Sequence, residues 1–207
     1  MASQFSLDRA KIKAVILHTC RACPPERLGA VKLHKVLYFL DMINFAQTGM
    51  SVTGATYNKR PFGPTCLQLL PVVREMVAGG ALDVREVDYY GLRKKEYIGL
   101  VPPASNALGN GEMALLDEVI DFVCNQHSAK SISDYSHQLP WEMAAFGEEI
   151  PYKSAFMLFP APTSLEAFEV IDEESGVEAW RATGENIVEF PSLRDFRARL
   201  LNEGLPG

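Results

Sequence analysis

Long apolar runs are missing from this sequence. The longest candidate, Val31 to Phe45, is broken by Lys32, His34, Lys35, Asp41 and Asn44. A membrane-spanning helix needs roughly 20 apolar residues in a row, so no membrane association is expected. Met1 to Asp8 lack both the basic and the apolar segment of a secretory signal, and the expected location is the cytoplasm. Cysteine is scarce too: Cys20, Cys23, Cys66 and Cys124 are the only four in 207 residues. A chain of this size buries a sizeable core without disulfides, and a reducing compartment keeps its thiols free. Cys20 and Cys23 have C-x-x-C spacing with His18 just before them. A structural zinc takes four ligands, usually from two such pairs, and there is no second pair. The pair also falls at a helix C-terminus, where the dipole does not favour a thiolate. Both read as small apolar side chains, with no metal and no cofactor implied.

Catalytic signatures are absent as well. The sequence contains no G-x-S-x-G, no H-E-x-x-H and no G-x-x-x-x-G-K. Gly109-Asn-Gly111-Glu-Met-Ala114 formally matches G-x-G-x-x-A, but Pro102-Pro103 and a polar loop stand where a strand should lead into it. Glu112 would repel a phosphate there; in a first helical turn it satisfies the helix dipole instead. Glu142, Glu148 and Glu149 near Trp141 read as a solvated acidic surface. An enzyme is not expected.

Positive charge is also in deficit: 20 Lys and Arg against 26 Asp and Glu give a net charge of −6. That balance disfavours a protein whose main task is neutralising phosphates. One local exception is Arg85, Arg93, Lys94 and Lys95 on an expected hairpin, which would suit the wing of a winged helix. A DNA-binding transcriptional regulator is therefore the alternative reading, although lysines on an edge strand also guard against aggregation.

What remains is an ordinary globular composition, 47% hydrophobic and 22% charged. Ser6 is a plausible N-cap for a helix from Leu7 to about Cys23, stopped by Pro24-Pro25. A second helix from about Leu28 to Gln47 carries Leu33, Val36, Leu37, Leu40 and Ile43 at the spacing of a buried face. Phe39, Met42 and Phe45 widen that face, placing this helix at the centre of the core. After loop and short extended structure over Gly49 to Pro64, a third helix is expected from about Thr65 to Val77, ended by Gly79-Gly80. A hairpin follows, from Leu82 to Val101 with its turn near Tyr90-Gly91. Gly111 to Gln126 reads as an amphipathic helix, with shorter helices near Ser131 to His137 and Pro140 to Phe146. The proline-rich stretch Pro151 to Thr163 separates a body, 1–159, from a small appendage, 160–207, in which a hairpin and a final helix are expected. The fold class is α+β, predominantly α-helical: a compact helical domain with an inserted β-hairpin, plus that small C-terminal β-hairpin and helix.

On the second helix, His34, Tyr38, Asp41 and Phe45 form a polar and aromatic seam at i, i+4, i+7 and i+11. It is either an exposed edge with one or two buried hydrogen bonds or a binding face, since aromatic and charged groups on a rigid helix make good anchors.

The run Lys32-Leu-His-Lys-Val-Leu-Tyr-Phe-Leu-Asp41 is followed by Gly49, Val52-Thr-Gly54, Tyr57 and Arg60-Pro-Phe-Gly-Pro64, and later by Ser136-His137-Gln-Leu-Pro-Trp141. This order resembles the Panacea domain of the SocA-like antitoxins, also found in proteins described as phage-associated. The family has a K-L-L-Y-F helix, a Gly-Pro turn and a T-H-x-x-x-W arrangement, and here serine replaces the threonine. The resemblance spans roughly residues 7–156. It implies an antitoxin that neutralises a cognate protein toxin encoded nearby by direct contact, with delivery of the toxin to a protease as the adaptor alternative. Lys35, Tyr38, Asp41, Phe62, Gly63, Pro64, His137 and Trp141 carry the match. The resemblance makes Lys35, Tyr38, Asp41, Phe62, His137 and Trp141 the candidate partner-binding residues. Gly63-Pro64 is expected to fix a structural turn that starts the third helix. Tyr38 and Trp141 equally suit core aromatics with a tethered polar tip.

Overall fold

The computed structural model describes residues 5–89 and 91–158. The hairpin and helix expected within 160–207, and the boundary near 159, lie outside the described residues.

Helix α1 (Arg9–Ala22) begins two residues later than the sequence suggests. Asp8, not Ser6, is its N-cap: the carboxylate accepts from Lys11 N at 3.0 Å, and Asp8 N donates to Thr53 O at 2.8 Å. An ionised acceptor at this position satisfies an orphan amide and the helix dipole together.

Helix α2 (Ala30–Thr48) is the axis of the domain, with thirteen of its nineteen residues buried. That proportion means neighbours on every side rather than one apolar face on a sheet. Around it lie α1, the hairpin β1 (Tyr57–Arg60) and β2 (Gly63–Cys66), α4 (Asn110–Ile120), α5 (Ala129–Tyr135) and a 3-10 turn, Tyr152–Met157. Gly49, with φ of 75°, closes α2 and donates to Phe45 O.

The third helix, α3 (Leu69–Ala78), starts four residues later than expected. Residues 63–66 are strand instead, paired antiparallel with β1 in the register Tyr57 to Cys66 and Arg60 to Gly63. Gly63 at φ of 87° cannot enter a helix, and Cys66 N is drawn sideways to His34 Nδ1 at 3.1 Å. Gly63-Pro64 thus follows the two-residue turn Pro61-Phe62 and opens a strand; it does not start α3.

The second hairpin matches its expectation, with β3 (Leu82–Tyr89) paired antiparallel to β4 (Leu92–Gly99). The predicted 111–126 helix divides: α4 passes into a π-helical turn, Asp121–Gln126, which reaches His127 and α5. Glu112 Oε2 accepts from Gly109 N at 2.9 Å, so the glycine-rich segment is a helix cap. The last helix, α6 (Leu139–Met143), is a single turn opened by Pro140. No helix among the described residues is long and apolar enough to cross a membrane.

Candidate interaction face

The β1–β2 turn is held from below by one amine. Lys35 Nζ donates to Phe62 O at 2.6 Å and to Pro64 O at 2.9 Å, from a side chain only 1% exposed. Two carbonyls satisfy two of its protons, and no carboxylate is paired with it among the described residues. Burial without a counterion disfavours the ammonium and pushes the amine down to about 7. Gly63, between the two carbonyls, lies so close that a Cβ there would overlap both Lys35 Nζ and Ser136 Oγ. Ser136 is itself buried and tied back to Ser133 O at 2.7 Å. His34, one residue before Lys35, accepts from Cys66 N and so needs a bare Nδ1. Burial, reinforced by the Lys35 charge, holds its imidazole down at about 4.

From the outside, the segment 137–150 straps the free edge of β1. Trp141 Nε1 donates to Arg60 O at 3.1 Å, His137 stacks on the indole with centroids 4.0 Å apart, and Lys59 Nζ sits 4.1 Å from the ring centre. Lys59 N donates to Glu148 O at 2.9 Å and accepts at its carbonyl from Gly147 N at 3.0 Å. The Lys59 ammonium also reaches Glu142 O at 3.2 Å. Desolvation first, and the Lys35 charge second, lower the His137 imidazole pKa. The turn is therefore clamped on both sides, by a buried lysine and by a tethered tryptophan.

Large apolar side chains stand in water at this end. Phe62 is 68% exposed, Met143 65% and Phe146 63%, with Leu139 beside the helix start. Isolated exposed hydrophobes are common; here Phe62 lies in the turn itself and the other three lie on the segment that straps β1. Lys59 and Arg60 supply positive charge there, neither paired with a carboxylate among the described residues.

The sequence-derived candidates divide on burial. Phe62 is at the surface, and His137 and Trp141 are half-buried in the clamp. Lys35, Tyr38 and Asp41 are interior, because α2 is surrounded and its polar seam faces the hairpin and the 3-10 turn rather than solvent. Asp41 Oδ1 accepts from Thr53 N at 2.7 Å. Its Oδ2 meets the hydroxyls of Thr53, Tyr57 (2.6 Å) and Tyr152 (3.2 Å). Burial pushes the carboxyl upward against those hydrogen bonds. Tyr38 packs its ring on Phe39 and Tyr57. In this conformation all three side chains are buried, and of the three it is Lys35 that bonds the turn beneath Phe62. Trp141 is the tethered aromatic that the sequence left open.

Lys59, Arg60, Met143 and Phe146 were not singled out from the sequence. The signal was there in Met143 and Phe146: two large apolar residues on and just after a helix too short to bury them. The cysteines differ in a similar way. Cys124, distant from the others in sequence, lies beside Lys32, which donates to Cys124 O at 2.9 Å.

The β3–β4 hairpin shows no excess of either charge. Arg85 pairs with Asp83 at 2.8 Å, Arg93 with Glu86 at 3.5 Å, and Lys94 with Glu96 at 3.1 Å. Among the described residues no cluster of three His, Cys, Asp or Glu side chains is arranged to hold a metal ion.

A family model described as "Antitoxin SocA-like, Panacea domain" matches residues 33–142, just over half of the chain. The matched stretch runs from the start of α2 to Glu142 and so contains the turn, its buried lysine and the tryptophan clamp. No curated protein and no solved structure matches.

Proposed function

Since the chain belongs to the SocA-like antitoxin family defined by the Panacea domain, we propose that it neutralises a cognate protein toxin by direct binding, without catalysis, through the face around Phe62. The supporting observation is the pairing of exposure with rigidity. Phe62, Met143 and Phe146 stand in solvent, and the turn that carries Phe62 is fixed by Lys35 and Trp141. A preformed apolar face loses little conformational entropy on binding, and exposed aromatic anchors dominate interface energetics. Binding takes place in the cytoplasm, with the toxin supplied by a neighbouring gene.

The DNA-binding reading gains little from the second hairpin, where three of the four cations, Arg85, Arg93 and Lys94, pair with carboxylates on the same hairpin. The experiment is co-expression with the product of the adjacent gene, scoring growth and co-purification together. Rescue with a stable complex is expected. Rescue with disappearance of the toxin replaces stoichiometric binding by delivery to a protease. Neither rescue nor complex ends the antitoxin proposal.

A further inference from the structure

Beside Phe62 a cleft of about 340 Å³ opens between the first turn of α2 and the β1–β2 turn. Its walls are mostly carbon, from Ala30, Val31, the Phe62 ring and the flank of Thr65, with Lys35 and Arg60 bringing nitrogen. The volume falls at the small end of ligand-sized pockets, enough for one bulky side chain. No Asp or Glu lines it.

Two sources of positive potential meet there, Arg60 and the start of α2. Arg60 is exposed and pairs with no carboxylate among the described residues. Lys35 is a buried amine already committed to two carbonyls, and burial disfavours its charged form, so it is not counted among them. The nineteen-residue α2 begins at Ala30 with Gly29 as N-cap and no side-chain cap, so its first amides lack a side-chain acceptor. The third cationic candidate, His34, is kept neutral by its bond from Cys66 N and adds no charge.

We propose that this cleft takes a bulky apolar side chain of the partner protein whose neighbouring residue is Asp or Glu, the carboxylate pairing with Arg60 at the uncapped end of α2. The inference rests on the antitoxin reading and gives the chemistry of the segment that reading requires. An apolar group alone would fill the walls and leave the cation unpaired. A phosphate alone would find few donors among mostly carbon walls. A carboxylate next to an apolar side chain satisfies both.

The test uses the isotope-labelled full chain and capped tripeptides. Glu-Phe-Glu is expected to shift the amide resonances of Ala30, Val31 and Thr65, and Lys-Phe-Lys is not. Arg60→Glu, an exposed change that leaves the core alone, should weaken the tripeptide at least about tenfold, with Arg60→Lys in between. Equal shifts from both tripeptides, no shifts from either, or the same shifts from a short single-stranded oligonucleotide instead would overturn the proposal. A second arm separates it from the broader reading. If Thr65→Trp and Arg60→Glu leave the toxin complex intact while Met143→Asp breaks it, the cleft assignment is wrong and the antitoxin reading stands. If the wild-type chain forms no complex with the adjacent gene product, the reading fails and the tripeptide titration still decides the cleft.

Discussion

Among the described residues, the most buried lysine holds the backbone of the most exposed phenylalanine: Lys35 Nζ, on the central helix, donates to the carbonyl of Phe62 at 2.6 Å. The surface residue that makes the best anchor is thus positioned by a core residue that never reaches the surface. A change at either end is felt at the other.

The protonation of Lys35 gives a first prediction. The amine titrates near 10.5 when unfolded and near 7 when folded. Between those values the unfolded chain holds a proton that the folded chain has released, so stability from this group rises with pH across that window. Its penalty is full below 7. Lys35→Met removes this dependence and leaves two buried carbonyls without their donor, a loss of about 1–3 kcal/mol. Urea unfolding at neutral pH and again near pH 9 should show the wild-type advantage over Lys35→Met growing with pH. A constant gap would mean that the amine is not the titrating group.

Gly63 supplies a second. It has φ of 87° with Lys35 and Ser136 at its open side, whereas Gly80 has φ of 67° with nothing near it. Gly80→Ala pays only the left-handed backbone term, about 1–2 kcal/mol. Gly63→Ala adds an overlap in a packed site and should cost about 3 kcal/mol or more. Equal losses in thermal or urea unfolding would show that the turn is not clamped.

Asp41 tests core against contact. Removing it leaves the amide of Thr53 without its acceptor, while the hydroxyls of Tyr57 and Tyr152 keep Leu37 O and Ala55 O. Asp41→Ala should lower stability by about 1–3 kcal/mol. The fraction that remains folded should bind the toxin with wild-type affinity. Normal stability with lost binding would return Asp41 to the surface role.

The family seam on α2 shows where sequence reasoning reached its limit. Its length, its punctuation and its central position were all legible, because the apolar spacing continues around the whole helix. The burial of Lys35 and Asp41 was not legible, since a charged residue reads as exposed until its partners are known, and those partners come from residues 12 to 111 positions away. The β1–β2 hairpin was missed for a related reason. Four-residue strands carry too little alternation to register, and Pro64 is equally at home at the first turn of a helix. The second hairpin, eight residues per strand, was found.

The matched charges of that second hairpin lead to a fourth prediction. Replacing Arg93, Lys94 and Lys95 with glutamate should leave growth rescue unchanged, and the wild-type chain should not retard its own promoter fragment at low salt. Salt-sensitive retardation abolished by these changes would favour a regulator.

The central claim is that the face around Phe62 binds the toxin, and the affinity of the purified chain for the adjacent gene product tests it most directly. Phe62→Asp combined with Met143→Asp places two charges on side chains that are 68% and 65% exposed, so the fold should keep its thermal midpoint. The complex should weaken by about a hundredfold or more, the range of hot-spot losses. Unchanged affinity in a variant that melts like the wild type would contradict the account.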